Sequence, residues 1–81
     1  PNPNGGQFQI VISQLEQVQL CIVNQDNQVL IRYTGRLPLN VVFNISDKLH
    51  LVTESKVRVY YILQTRQGQY YRGHGDIEIV R

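Results

Sequence analysis

Apolar and polar residues alternate along much of this chain, and the alternation is clearest between residues 56 and 64. One face of that segment carries a row of apolar side chains, from Val57, Val59, Tyr61 and Leu63. The other face is mostly polar, with Ile62 as the exception. A period of two carried by β-branched and aromatic residues is typical of a half-buried strand. Residues 65–68 can reverse the chain because glycine tolerates a positive φ angle, so residues 56–71 are predicted to form a β-hairpin.

The same alternation predicts further strands in the rest of the chain. They are expected over residues 7–12, 17–22, 29–34, 39–45, 49–53 and 76–79. Bends, turns or corners are expected between them, at residues 13–16, 24–27, 35–38, 46–48 and 72–75. The turn at 24–27 is the clearest, because Asn and Asp adopt left-handed backbone angles and hydrogen-bond to their own backbone. Short strands with turns about every 8–12 residues predict an all-β fold, a small antiparallel β-sandwich of about seven or eight short strands.

Length and composition are consistent with one small β domain. The 81 residues include ten Val and eight Ile but no Ala, and β-branched residues favour strands whereas Ala favours helices. Residues 1–6, with the sequence PNPNGG, are predicted to be a flexible lead-in. Residues 7–81 are predicted to form a single β-sandwich domain.

The charged and chemically reactive residues do not point to an enzyme or to a metal site. The formal net charge is +2, which makes no strong case for nucleic acid or for an anionic membrane surface. Cys21, His50 and His74 are far apart in the sequence and lack the spacing of a zinc site, and the acidic residues are scattered singly. We therefore expect no catalytic residues, no metal and no other cofactor, and a function in binding rather than in catalysis.

Tyrosine and arginine are concentrated along the predicted hairpin, at Arg58, Tyr60, Arg66, Tyr70, Tyr71 and Arg72. Such residues dominate protein interfaces, but they can also stack bases and hold phosphates, or simply solvate a sheet face. The low net charge favours a protein partner over nucleic acid. Ile62 marks this surface further, because it is an apolar side chain on a polar face. The predicted protein-binding residues are Tyr60, Ile62 and Tyr70 as anchors, with Arg58 at the rim.

A pattern that covers a little under half of the chain, residues 35–71, is similar to that of a bacterial protein family. The pattern begins with Gly35, followed by a Leu-Pro-Leu step at residues 37–39 and an alternating segment that ends at Phe43 and Ile45. An Asp turn at Asp47 and a strand over residues 57–62 come next, and Gly68 then precedes the aromatic pair Tyr70 and Tyr71. These features resemble the type III secretion lipoprotein chaperones, or pilotins, and related small envelope lipoproteins.

The resemblance implies a non-enzymatic β-sandwich at the periplasmic face of the bacterial outer membrane, lipid-anchored in its native form, or otherwise a secreted protein. A pilotin-like chaperone would bind the C-terminal segment of a secretin subunit and assist its outer-membrane assembly in a type III secretion system. The lipidated N-terminal cysteine of that family is not in this sequence, so membrane contact is expected only through an anchor outside this chain. The domain is expected to be a monomer.

Two other interpretations share the predicted strands. An immunoglobulin-like or adhesin-type module of a larger surface protein would have the same sandwich but no lipidated cysteine upstream. An oligonucleotide-binding barrel would bind with an affinity that falls steeply with salt.

Overall fold

The computed structural model describes residues 5–12, 17–36 and 39–80, which form six β-strands and one short 3₁₀ helix. The elements are, in chain order, β1 (Gln7–Ile12), β2 (Gln17–Val23), β3 (Val29–Arg36), β4 (Leu39–Asn44), the 3₁₀ helix (Ser46–Leu51), β5 (Lys56–Gln64) and β6 (Tyr70–Glu78). No helix in these ranges is long and apolar enough to cross a membrane. The predicted bend at 13–16, residues 37 and 38 of the predicted break, and residues 1–4 of the predicted lead-in lie outside the described residues.

The strands form two antiparallel sheets, one with the order β1–β4 and one with the order β3–β2–β5–β6. Rings from the two sheets meet in the core. Phe43 of β4 lies edge-on to Tyr33 of β3 with ring centroids 5.5 Å apart, and it stacks on Phe8 of β1 at 5.9 Å. The chain is therefore all-β, with two antiparallel sheets in a sandwich-like arrangement, which confirms the predicted fold class.

The inner face of the four-stranded sheet is built by the apolar positions of β2 and β5. Residues directly opposite each other in an antiparallel pair point to the same side of the sheet. Val18, Leu20 and Ile22 are buried opposite Leu63, Tyr61 and Val59. The period of two in both strands thus places one continuous apolar layer against β1 and β4.

The turn between β2 and β3 is held by the buried side chain of Asn24. Its Oδ1 accepts hydrogen bonds from the backbone N–H groups of Asp26, at 3.0 Å, and Gln28, at 2.9 Å. Its Nδ2 donates to the carbonyl oxygen of Leu51 at 2.7 Å and to Oε1 of Gln28 at 2.8 Å. Asn27 adopts a positive φ of 61°. The predicted turn at 24–27 is confirmed, and its first residue also ties the turn to the 3₁₀ helix.

The short strand predicted over residues 49–53 is wrong, because residues 46–51 form the 3₁₀ helix. Leu49 packs against the core and Val52 is buried, and a spacing of three residues matches the three residues per turn of a 3₁₀ helix. The N–H of Val52 donates to the carbonyl oxygen of Leu49 at 3.0 Å. Lys48 holds the segment in place, since its Nζ donates to the carbonyl oxygen of Leu30 at 2.8 Å.

The corner predicted at residues 72–75 is also wrong, because β6 runs without a break and pairs with all of β5. Gly73 lies directly opposite Tyr61, and a Cβ atom at Gly73 would collide with the Tyr61 ring. Gly35 has the same role inside β3, where a Cβ atom would collide with the ring of Tyr33. Both glycines therefore provide space for an inward-facing tyrosine inside a continuous strand.

Gly5 and Gly6, which the sequence assigns to the lead-in, are hydrogen-bonded to the folded domain. The N–H of Gly5 donates to the carbonyl oxygen of Val80 at 2.9 Å, and the carbonyl oxygen of Gly6 accepts from the N–H of Ile45 at 2.9 Å. These bonds connect the beginning of β1 to the ends of β4 and β6.

Candidate functional site

The four predicted binding residues lie on one surface, which we call the outer face: the side of the sheet β3–β2–β5–β6 that is turned away from β1 and β4. Arg58, Tyr60 and Ile62 alternate with the buried side chains of β5. Tyr70 of β6 is opposite Gln64, which shares their face. The unbroken pairing of β5 and β6 thus brings all four residues to the same side of the sheet.

Tyrosine and isoleucine give the outer face an accessible apolar area. Tyr60 is 41% exposed and Tyr70 is 64% exposed, while Ile62 is half-buried. Ile62 lies between Gln19 of β2 and Arg72 of β6. Large apolar side chains at such a position are available for contact with a partner.

Arg58 is engaged in a small charged network at one end of this face. Its Nε lies 3.4 Å from Oδ1 of Asp76, and its Nη1 donates to the hydroxyl oxygen of Tyr60 at 3.4 Å. Nζ of Lys56 lies 3.4 Å from the other carboxylate oxygen of Asp76. These contacts are long and exposed, so they contribute little to stability.

The same network shifts two ionisation equilibria. Hydrogen bonds to Tyr60 and Asp76 raise the pKa of Arg58. Desolvation acts to raise the pKa of Asp76, but the hydrogen bond from Arg58 and the charge of Lys56 outweigh it and hold that pKa below its usual value. Both residues are therefore charged near neutral pH, and their charges compensate each other.

Two other arginines on the outer face have no such compensation. Arg32 of β3 is exposed opposite Cys21, and Arg72 of β6 is exposed opposite Ile62. Among the described residues, neither side chain has a hydrogen-bond or ion-pair partner. Their guanidinium groups are therefore free to bind a ligand.

Both unpaired arginines line one shallow depression of about 400 Å³ in the outer face. Side chains of the two central strands and of β3 form the rest of its outer-face lining: Gln19, Cys21, Thr34, Tyr60 and Ile62. The depression combines two cationic groups, an aromatic ring and an aliphatic side chain. Such a surface can bind a ligand that has both anionic and apolar groups.

Sequence reasoning missed Arg32 and left Arg72 out of the predicted site. Arg32 is on β3, outside the hairpin, and it joins the site only because β3 pairs with β2 and β2 pairs with β5. Arg72 was assigned to a corner, whereas it lies in a continuous strand. Two of the tyrosines and arginines that the sequence concentrates along the hairpin do not lie on the outer face. Tyr71 is opposite Leu63 on the inner side, and Arg66 is in the hairpin loop.

The remaining features of the described residues offer less chemistry. No group of three or more His, Cys, Asp or Glu in the described ranges could hold a metal ion. Cys21 and His74 are on the outer face, but Tyr60 lies between them, opposite both. A second depression, of about 340 Å³, lies on the inner side, where β1 and β4 leave apolar residues such as Leu63 and Ile77 partly uncovered.

Comparisons with protein-family models, curated proteins and solved structures found no match for this chain. The function is therefore inferred from the chemistry and geometry of the outer face.

Proposed function

We propose that this domain is a non-enzymatic protein-binding module that contacts its partner through the outer face. The observation that carries the proposal is the depression, where the half-buried Ile62 and the exposed Tyr60 lie beside two unpaired arginines. Tyrosine and arginine supply most of the strong contacts in protein interfaces, because each offers a large surface and a polar group. Tyr70 extends the same surface along β6, and Arg58 contacts the Tyr60 hydroxyl at its rim.

The resemblance of residues 35–71 to the pilotins supports a more specific version of this proposal. In that version the domain is a lipoprotein chaperone of the periplasmic side of the outer membrane, and its partner is the C-terminal segment of a type III secretion secretin. The outer face would then receive that segment. The broader proposal, protein binding through the outer face, does not depend on this identification of the partner.

The experiment compares Ile62→Asp with Val42→Asp. Val42 is a matched control, because it is an apolar residue, 63% exposed, on β4 of the other sheet. The binding partner is a synthetic peptide with the C-terminal sequence of a type III secretin from the same organism, and its affinity is measured by titration calorimetry. If Ile62 is an interface anchor, Ile62→Asp weakens binding about 30-fold, and Val42→Asp leaves it unchanged.

Two results would contradict different parts of the proposal. Equal affinities for the wild type and Ile62→Asp would show that the peptide binds elsewhere, and the outer face would then be the wrong surface. An absence of binding to the wild type would refute the secretin version. Circular dichroism of both variants verifies that the fold is retained.

A further inference from the structure

Charge is distributed unevenly over the outer face. Its described acidic residues, Asp76 and Glu78, are both at the C-terminal end of β6, opposite Arg58 and Lys56. At that end the positive and negative side chains compensate each other. Around the depression the cationic residues Arg32 and Arg72 have no acidic neighbour across the strands. The depression is thus the part of the outer face that attracts negative charge.

The positions of the two arginines define a spacing for the ligand. Arg32 and Arg72 are on the two edge strands, three strand spacings or about 14 Å apart across the sheet. Arg32 is in the row of Cys21 and Arg72 in the row of Gln19, so they are also offset by two residues, or about 7 Å, along the strands, and their backbones lie about 16 Å apart. The long arginine side chains can reach the remaining few ångströms inward. An extended peptide rises about 3.3 Å per residue, so side chains four residues apart are separated by about 13 Å and point to the same side. The side chain midway between them also points to that side. It would meet the centre of the depression, where Ile62 and Tyr60 lie.

We propose that the depression binds an extended acidic segment of the partner protein, with two carboxylates four residues apart on Arg32 and Arg72 and an apolar side chain between them on Ile62 and Tyr60. This inference rests on the proposed function and names the chemistry of the partner. Arginine suits this task because its planar guanidinium donates paired hydrogen bonds to a carboxylate.

A protein segment fits the outer face better than a nucleic acid does. A nucleic acid places a phosphate at every nucleotide and needs a continuous track of cations. The acidic residues Asp76 and Glu78 interrupt such a track on this face, and the net charge of the chain is only +2. The apolar surface of Ile62 at the centre of the depression matches an aliphatic side chain.

The test is a selection of binders from a random library of dodecapeptides displayed on phage, followed by calorimetry with the enriched peptides. We expect enrichment of sequences with two acidic residues four positions apart and an apolar residue midway between them. Arg32→Gln and Arg72→Gln should each weaken an enriched peptide about three- to tenfold, because each removes a charged hydrogen-bond donor at an exposed site. Lys56→Gln is the matched control, since it removes the same charge from the compensated end of the same face and should leave the affinity unchanged.

The single cysteine of the chain reports where the peptide binds. Cys21 lies in the depression, opposite both Arg32 and Tyr60, and a bound peptide should slow its reaction with a maleimide. Raising the salt concentration should weaken binding, because the contacts are exposed ion pairs.

Three outcomes would overturn the inference. Enriched peptides without an acidic excess would refute it, and so would affinities that do not respond to Arg32→Gln and Arg72→Gln. If the enriched peptides do not respond to the arginine variants but still lose affinity with Ile62→Asp, the outer face remains the interface and only the acidic segment is refuted. If neither the arginine variants nor Ile62→Asp matters, the proposed function fails as well. Displacement of the peptide by oligothymidylate at equal concentration would indicate a nucleic-acid ligand instead.

Discussion

Removal of the Asn24 side chain tests how the β2–β3 turn is connected to the rest of the domain. In Asn24→Ala, four hydrogen bonds are lost, two at Oδ1 and two at Nδ2. Each contributes about 0.5–1.5 kcal/mol, but Asp26 and Gln28 are exposed residues, so their backbone N–H groups can bond to water instead. We therefore expect the free energy of unfolding to fall by about 2–3 kcal/mol. For a domain of this size that lowers the melting temperature by about 10–20 °C.

The assay is thermal and urea unfolding monitored by circular dichroism, with Gln25→Ala as the control. Gln25 is the neighbouring amide and donates to the same carbonyl oxygen of Leu51, at 3.1 Å, but it is half-exposed. Its removal should cost less than about 1 kcal/mol, because water replaces its contacts. Equal effects of the two substitutions, or a loss below about 0.5 kcal/mol for Asn24→Ala, would refute the account of Asn24 as a buried connection.

Asn24→Asp tests the hydrogen bonds of the amide oxygen and of the amide nitrogen of Asn24 separately. The introduced carboxyl keeps the bonds from Asp26 and Gln28, but its second oxygen faces the carbonyl oxygen of Leu51, which is also an acceptor. This repulsion favours the protonated form and raises the folded-state pKa of the carboxyl above its unfolded value. The destabilisation should therefore be smallest at acidic pH and should grow as the pH rises through the folded-state pKa. A destabilisation that does not change with pH would contradict this explanation.

Three further stability predictions follow from the β5–β6 hairpin. Gly75→Ala should raise the free energy of unfolding by about 0.4–1 kcal/mol, because a Cβ atom there meets open space and the unfolded chain loses freedom. Gly73→Ala should lower it by about 1–3 kcal/mol, because the Cβ atom collides with the Tyr61 ring, and equal urea midpoints for the two variants would contradict this difference. The contacts that depress the pKa of Asp76 stabilise the fold above the usual pKa of an aspartate and are lost as the pH falls through the depressed value. A pH titration of stability should thus show Asp76→Asn slightly less stable than the wild type at about pH 6, with a difference that shrinks as the pH falls through the depressed pKa of Asp76, and a constant difference would refute the pairing.

The sequence was sufficient where the determining interactions are local. The alternation in β5 assigns Tyr60 and Ile62 to one face without knowledge of any other strand, because successive side chains in a strand point to opposite sides. The turn at residues 24–27 was also predictable, since the Asn24 side chain bonds to backbone groups only two and four residues away. The all-β class and the common face of the predicted binding residues follow from such short-range patterns.

The local pattern failed where a contact distant in the sequence decides the conformation. Leu49 and Leu51 alternate like strand residues, but the bond from Lys48 to Leu30 and the burial of Val52 support a 3₁₀ helix instead. The sequence places Gly73 in a predicted corner, yet Gly73 lies within β6, where the absence of a side chain leaves room for the Tyr61 ring of the neighbouring strand.

The candidate site depends most strongly on the tertiary structure. Arg32 and Arg72 are forty positions apart in the sequence, and only the strand order β3–β2–β5–β6 places both beside the same depression. A single sequence does not determine that order, because each strand has two edges and several possible neighbours with the same alternation. The order is decided by packing, since the apolar faces of all four strands must combine into one layer that covers β1 and β4. The sequence by itself determined which residues face outward, and the tertiary structure determined which of them meet.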